Sequence, residues 1–447
     1  MRSLLLFAEM MVLLPISIMH PFVGVLIFDW VSFMNPQQIS WGFGSALPWA
    51  LIAALFTITG WVLSPVEPKR IAVTPMTILM VLFVVGITIN MPFAISNPVS
   101  EYDAWLRTTK IFLFLAITSS LLTSKHRIDA LIWMIIISIG YYILDQGGAS
   151  IVTLGGHKAF GPPKSQISDN NEFAAAVLVL IPMMNYLRMQ SRYLLIRYGF
   201  ALAIAMSILV VLASYSRGAL LGLLAVAFVF WLKSKRKIVS LIALGCTLAA
   251  GVTFMPERWW DRMNTIAHYQ TQGSAMSRLF SWHMGWELAK QHPFTGAGFH
   301  ATTNRNVVEM FASGEHLKGM EIHGIWFQML GEQGFIVFSI WLGMILVGLF
   351  ECSRVIRLAR NIPRLSWAAD LARMGQVSIL AYAVTGTFLP ISSWDVFFTI
   401  LVTVSAARLL VGRELTAAKS TPENLAWHPA RAVGGMAQLS RGTVRAR

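Results

Sequence analysis

Residues 209–232 read LVVLASYSRGALLGLLAVAFVFWL, two apolar runs parted by SYSRG. The break holds an arginine, Arg217. A guanidinium stays charged at any physiological pH, and at the centre of a bilayer it costs at least ~2.5 kcal/mol. The stretch therefore reads as two membrane crossings, near 197–213 and 218–232, joined by a connection of a few residues that carries Arg217.

The rest of the chain repeats that pattern. Of 447 residues 56% are hydrophobic and 13% are charged, and the mean hydropathy is +0.62. A soluble domain carries about 25% charged residues. Apolar segments fall near 3–34, 46–64, 72–90, 104–122, 128–146, 171–187, 237–255, 323–350, 372–390 and 393–411 as well. Most are long enough to cross a hydrocarbon core as helices, which makes about twelve crossings. The ten-residue alternation of a transmembrane barrel is absent. The expected fold is an all-α polytopic membrane protein. The first segment is too long for one straight helix, and Pro15 and Pro21 predict that it is broken or partly re-entrant. It lacks a small-residue cleavage site and reads as a retained first span, not a signal peptide.

Sidedness follows from charge. With the N-terminus inside, the inward connections are EPKR (67–70), SKHR (124–127), RMQSRYLLIR (188–197), KSKRK (233–237) and RVIRLARNIPR (354–364), with the tail after Arg413. Basic clusters gather on the cytoplasmic side of membrane proteins, so the net charge of +14 is a topology signal. The clusters are short, scattered and juxtamembrane, which argues against nucleic acid as a partner. The organisation that follows is nine spans in 1–255 with an outward segment at 145–172, a large outward loop at 256–322, three spans in 323–411, and a polar, basic tail at 412–447 expected to be disordered. Neither Cys246 nor Cys352 is placed for an outward disulfide.

Candidate chemistry lies on the outward side. Lys158, Lys164, Arg258, Arg262, Arg278, Lys290, Arg305 and Lys318 fall there despite the positive-inside bias. Long loops obey that bias weakly, but the connection holding Arg217 is short. The ordinary reading of Arg217 is a snorkelling interfacial side chain. The functional reading is a fixed cation for phosphate, whose oxygens the planar guanidinium binds in pairs; Ser214, Ser216 and Gly218 would let a ligand come close. SAMSRLFSWHMGWELAKQ (274–291) reads as an amphipathic helix capped by Ser274, with Arg278, Trp282 and Trp286 on one face. That face either packs on the membrane domain or stacks on sugar rings. HPFTGAGF (292–299) breaks the helix with proline and glycine. His323 then opens the next span in MEIHGIWFQMLGEQG (320–334), with Gln328 and Glu332 a few turns on. A histidine ordinarily titrates near ~6.5 and can take a proton at neutral pH. Its ordinary reading is an interfacial residue bonded to a backbone carbonyl. Metal chemistry has little support: Glu101 and Asp103 form one acidic pair, and His283, His292, His300, His316 and His323 lack ligand spacing. No P-loop or G-x-S-x-G elbow is present.

Taken together, the outward SRG, the late loop with SR…W…HPFTGAGF, HGIWFQMLGEQG opening a span and DNNEFAAAVLVLIP (169–182) resemble the O-antigen ligase superfamily. That superfamily includes O-antigen polymerases and protein O-glycosylation ligases. The opening PFVGVLIFDWVSFMNPQQISWGFGSALPWA (21–50) resembles its exosortase-associated branch. The resemblance implies a glycosyltransferase of the lipid-linked-donor, GT-C-like type, inverting, metal-independent and without cofactor. It would act at the periplasmic face of a bacterial inner membrane, passing a glycan from undecaprenyl pyrophosphate to a sugar hydroxyl of lipid A–core. By the same resemblance, Arg217 and Arg278 would hold the pyrophosphate and His323 would act as base. Lys158, Arg305, Trp282 and Gln328 are further candidates for contact with substrate. One departure stands out: many members have His-Asn where this chain has His323-Gly324. A polymerase or protein O-glycosylation ligase of the same superfamily remains open, as does a transporter of lipid-linked sugars. The transporter class would show repeat symmetry with paired broken helices, and neither is visible in the sequence.

The topology is testable. Thr271→Cys and Asn361→Cys should label from opposite sides of the membrane with an impermeant thiol reagent. Equal labelling overturns the sidedness on which the site rests.

Overall fold

A computed structural model describes residues 2–40, 42–233, 255–264, 273–312 and 319–420, with scattered positions between 237 and 253. The chain divides into two compact units, Met1–Val411 and Gly412–Arg447, and every candidate site residue belongs to the first. The segment expected to cross at 237–255 and the tail beyond residue 420 lie outside the described residues, as do Lys318 and His316.

Among the described residues the structure is all helical. The main helices are α1 (Arg2–Met19), α2 (Pro21–Met34), α3 (Trp49–Leu63), α4 (Pro75–Asn90), α5 (Pro98–Leu121), α6 (Lys125–Val152) and α7 (Asn170–Gln190). They continue with α8 (Leu194–Ala213), α9 (Arg217–Lys233), α10 (Glu257–Asn264), α11 (Gly273–Gln291), α12 (Ile325–Ala359), α13 (Ser366–Gly386) and α14 (Asp395–Ser420). Their starts are written in the local sequence. Thr74 and Thr77 form a reciprocal capping box ahead of α4. Asn97, Ser124 and Asp169 each accept a first-turn amide at the starts of α5, α6 and α7. Caps of this kind satisfy amides that a helix end leaves unbonded. The Asp/Asn-rich DNN of the sequence is thus a helix start, and the buried Asn170 adds a long-range bond, its Nδ2 donating 2.6 Å to the Ser214 carbonyl.

Seven of these helices are long and apolar enough to cross a membrane: α1, α4, α6, α7, α8, α12 and α14. Helices α2, α3 and α9 are apolar but shorter. The protein is therefore a multi-pass membrane protein, and the expected count of twelve is not reached among the described residues. Two of the expected segments, 104–122 and 372–390, fall on α5 and α13, whose turns carry charge at Arg107, Lys110, Asp370 and Arg373.

The two faces of the bundle differ in character. Arg127 forks onto Glu67 at 2.6 Å, Lys125 stands over the Trp367 ring, and Gln190 Nε2 donates to Asp370. Three of the basic connections read as inward, and the start of α13 just after a fourth, are thereby joined on one face, the basic face. On the other, the loop face, Asn35 Nδ2 donates to the Pro163 carbonyl, the Ala159 amide to Ala213, and the Ile95 amide to Ala297.

The first apolar segment is broken, as its prolines predict, and the break is a reversal: it is a helical hairpin, where the count of twelve took it as one crossing. It turns at His20–Pro21, where proline starts α2, while Pro15 is absorbed inside α1. The Gly44 amide donates 2.8 Å to Ser3 Oγ, and the Phe7 ring meets Phe43 and Trp49. At the other end, Gly60 lies against the Ser17 and Ile18 backbone. Helix α1 therefore starts on the loop face and not on the basic face where a single span would have begun it. Helix α2 is shorter than α1, and it returns antiparallel to α1 and packs against both α1 and α3.

A hairpin and a single span make opposite predictions. His20→Cys should label from the same side as Asn361→Cys, and Ala46→Cys from the other. A His20→Cys that is unreactive from both sides indicates a residue in mid-membrane and refutes the hairpin.

Candidate functional site

The site is built around a broken helix. Helix α12 has 35 residues, about 52 Å at 1.5 Å per residue, against a hydrocarbon core of about 30 Å. It is interrupted at Gly334, whose φ of 74° lies in the left-handed region that a side chain disfavours. The interruption leaves carbonyls without partners in their own helix, and the loop after α11 supplies donors. The Ala297 amide donates to Gly331, the Gly298 amide to Glu332, and Asn90 Nδ2 to Gln333, at 2.9–3.0 Å. In return the Phe335 amide donates to the Pro293 carbonyl. Glu332, fully buried, accepts from the His300 amide at 3.1 Å. Glu101 holds the same loop from the other side, accepting from Ser96 Oγ at 2.7 Å and from the Phe299 amide. Burial pushes the Glu101 carboxyl up from its usual range, and those two bonds pull it back. TGAGFH and LGEQG, two motifs singled out in the sequence, are thus the two halves of one joint.

Arg217 stands at a second turn. Helix α8 ends at Ala213, Tyr215 takes a left-handed φ of 58°, and Ser216 caps α9 by accepting the Ala219 amide. Tyr215 Oη donates to the Gly155 carbonyl, and Trp259 Nε1 to the Leu212 carbonyl. Arg217 is the first residue of α9, on the loop face. A helix start offers unbonded amides and positive potential to an anion, to which the guanidinium adds a full charge.

His323 is gripped three ways. Its amide donates to Ser281 Oγ at 3.2 Å, and its carbonyl accepts from Trp282 Nε1. Its Nδ1 lies 2.8 Å from the Glu321 carbonyl. A carbonyl only accepts, so Nδ1 carries the hydrogen, and in the neutral ring the lone pair is on Nε2. Ser281 Oγ in turn donates to the Arg278 carbonyl. One buried hydroxyl therefore ties His323 to the turn of α11 that carries Arg278.

A line of contacts joins these parts. Gly218 leaves room for the Phe388 ring, which a Cβ would meet at 3.3 Å, and Gly222 does the same for Thr385. Phe388 lies 6.0 Å from the Trp282 ring, and Trp282 stacks on Phe327. The connection after α13 thus draws together the start of α9, the middle of α11 and the start of α12. At its centre Gly324 is required by space: a Cβ would stand 2.7 Å from both the Thr387 carbonyl and Trp282 Nε1. The departure from His-Asn has a local cause.

The structure separates the remaining candidates. Trp282 is committed to packing and to the His323 carbonyl. Trp286 meets Phe335 edge-on, so the aromatic stripe of α11 faces α12. Gln328 is buried and accepts the Ser392 amide at 3.2 Å, which makes it a support for the 387–395 connection. Arg305 is exposed and paired with Glu309 at 2.6 Å, and Lys158 stands over the Phe160 ring. No contact brings either of them to His323. Helix α11 begins at Gly273, so Ser274 lies within its first turn. Sequence reasoning missed Ser281 and the 385–388 connection. Ser281 had a signal, since it falls three residues after Arg278 on the helix. Thr387 and Phe388 had none.

Residues 174–342 match the family model described as O-antigen ligase. The match contains Arg217, Arg278, Ser281, Trp282 and His323, and both halves of the joint between the α11 loop and α12, without Asn90 and Glu101 that brace it. It supports the O-antigen ligase superfamily and, in general terms, a glycosyltransferase activity of the ligase and polymerase type. Such a family implies a lipid-linked glycan donor and a membrane setting. Residues 1–192 match a second model, a family of unknown function (DUF5935). No curated protein is similar to the chain.

The Gly324 environment gives a test. Gly324→Ala forces backbone or indole to move, and overpacking of this kind costs ~1–3 kcal/mol. The variant should melt below the wild type in detergent, and Gly140→Ala, whose Cβ meets nothing within 4 Å, should not. Equal melting of both variants and the wild type contradicts the packing assigned to Gly324.

Proposed function

We propose that the protein is an O-antigen ligase-type glycosyltransferase. It takes a glycan from undecaprenyl pyrophosphate and joins it to a sugar hydroxyl of lipid A–core at the periplasmic face of the inner membrane. The observation that carries this reading is the state of His323. Its Nδ1–H is spent on the Glu321 carbonyl, so Nε2 is the basic nitrogen, and its backbone is held by the helix that bears Arg278. The family match over the same residues supports it. So does the position of the site on the face opposite the basic connections, since those clusters mark the cytoplasmic side.

The chemistry needs one base. The acceptor hydroxyl oxygen attacks the anomeric carbon of the donor, and the bond from that carbon to the pyrophosphate oxygen breaks. The hydroxyl proton passes to Nε2. The pyrophosphate leaves as an anion, and Arg217 and Arg278 stabilise the charge that develops on it. Attack opposite the leaving group inverts the anomeric centre. With two guanidinium groups on the leaving group, neither a general acid nor a divalent cation is required.

The test is ligation by purified protein, supplied with undecaprenyl-pyrophosphate glycan and lipid A–core in EDTA. Wild type should form the joined product. His323→Ala should lose 10²–10⁴-fold in rate, the usual scale for a missing general base, and still bind donor. Arg217→Lys and Arg278→Lys keep charge but lose the planar fork, and each should cut turnover severely in a folded protein. Near-wild-type rates in the lysine variants, or loss of donor binding in His323→Ala, would refute these roles. Recovery by magnesium after EDTA would refute the metal-free mechanism.

A further inference from the structure

A cavity of about 760 Å³ lies apart from the site of His323, between α2, α3 and α5 and closed at one end by the start of α14. It is a size typical of ligand sites. None of Arg217, Arg278 or His323 lines it. Its wall on α3 is Leu51, Ala54, Leu55 and Ile58, one face of the helix at i, i+3, i+4 and i+7, and the packed rings of Phe28 and Phe114 face that wall. Leu51, Leu55 and Leu113 are substantially exposed, so the trough opens sideways toward the surroundings of the bundle. In a membrane those surroundings are acyl chains.

The mouth is of another kind. Arg107 and Lys110, one turn apart on α5, meet Lys164 from the 154–169 connection, with Asp103 and Asp395 beside them. Among the described residues none of the three cations makes an ion pair or a side-chain hydrogen bond. Gln37 and Gln166 line the same cavity, and in each the buried Oε1 accepts from no described residue. Buried polar atoms are ordinarily bonded. An apolar trough open to lipid, cations that outnumber the carboxylates at its mouth and amide oxygens that accept from no described residue call for one occupant with a chain, an anion and hydroxyls.

We propose that this cavity binds an anionic, hydroxyl-bearing glycerophospholipid of the phosphatidylglycerol class, at a site separate from the catalytic one. An acyl chain lies along Leu51–Ile58. The phosphodiester meets Arg107, Lys110 and Lys164, and headgroup hydroxyls donate to the two glutamine amides. Charge selects this lipid over a polyprenyl phosphate. Three cations against two carboxylates leave one net positive charge, which a phosphodiester monoanion balances; a phosphate monoester carries about −1.5 to −2 at neutral pH. Most of the lining falls in residues 1–192, the part of the chain outside most of the ligase-family match.

The test is photolabelling of the full chain in phosphatidylcholine nanodiscs, using phosphatidylglycerol with a diazirine in its acyl chain. Adducts should map to residues 48–58 and 106–114. Arg107→Gln with Lys110→Gln should lower their yield about thirtyfold, on the scale of ~1 kcal/mol for each of two basic residues near an anionic lipid. Ala54→Trp, which fills the trough and leaves the cations in place, should lower it too, so the test survives if the double variant does not fold. Diazirine phosphatidylcholine should label only at background. Equal labelling by phosphatidylcholine, full labelling of both variants in their folded state, or displacement of phosphatidylglycerol by equimolar undecaprenyl phosphate would each overturn the proposal.

Discussion

The structure depends on how a helix is allowed to break. In a hydrocarbon setting an unpaired backbone group costs several kcal/mol, so irregular backbone is tolerated only where protein satisfies it. Helix α12 breaks at Gly334, and the carbonyls of Gly331, Glu332 and Gln333 are taken up by Ala297, Gly298 and Asn90. Gly296 and Gly298, both at positive φ, let the loop come close enough: a Cβ on Gly296 would stand 2.3 Å from the Glu332 carbonyl. Because the joint is satisfied, the first turns of α12 can leave the line of the span below. That freedom puts Gly324 against Thr387 and brings His323 to Ser281 and Trp282. Loosening the joint would move the base as well as the loop.

Much of this was legible in the sequence, for a physical reason. Hydropathy reports the solvent a segment needs, and the expected segments fall on helices wherever they are described. Positive charge reports a face: Arg127–Glu67 joins two of the expected inward connections, and Lys125–Trp367 and Gln190–Asp370 tie two of them to the start of α13. Local motifs were also readable, since a proline, a cap or a glycine acts within a few residues. The break between α1 and α2 was legible in its prolines, but the reversal of the chain there was not. A stretch of 32 apolar residues carries no mark of whether its proline bends a span or reverses it. The decision lies in the Gly44–Ser3 bond and the packing of Ser17 on Gly60, which join positions about forty residues apart. Thr387 and Phe388 were invisible for the same reason: their role exists only through Gly218, Trp282 and Gly324.

The placement of Arg217 resolves the energetic question that its surroundings pose. The charge is not at membrane depth. It begins a helix on the loop face, after a turn fixed by Tyr215, Ser216 and the Asn170 bond to Ser214. A charge at a helix end avoids the insertion cost of an arginine in the middle of a span. Helices α9, α11 and α12 converge on the connection after α13. A cation at the start of α9 and a basic nitrogen at the start of α12 are fixed by the same few side chains.

For Trp282 and His323 the observed contacts are those of the ordinary reading, and those of His323 are also compatible with the proposed base. Trp282 packs, as an aromatic stripe on a helix usually does, and His323 bonds a carbonyl, as an interfacial histidine usually does. Yet a general base must be held in one orientation with one nitrogen unprotonated. The Glu321 carbonyl selects the tautomer, Ser281 and the indole fix the backbone on both sides of the ring, and Phe327 and Phe388 fix the indole. Each contact is structural when taken alone. Their sum is a histidine whose ring orientation and Nδ1 partner are set by the fold, bonded through its amide to a hydroxyl that also donates to the Arg278 carbonyl.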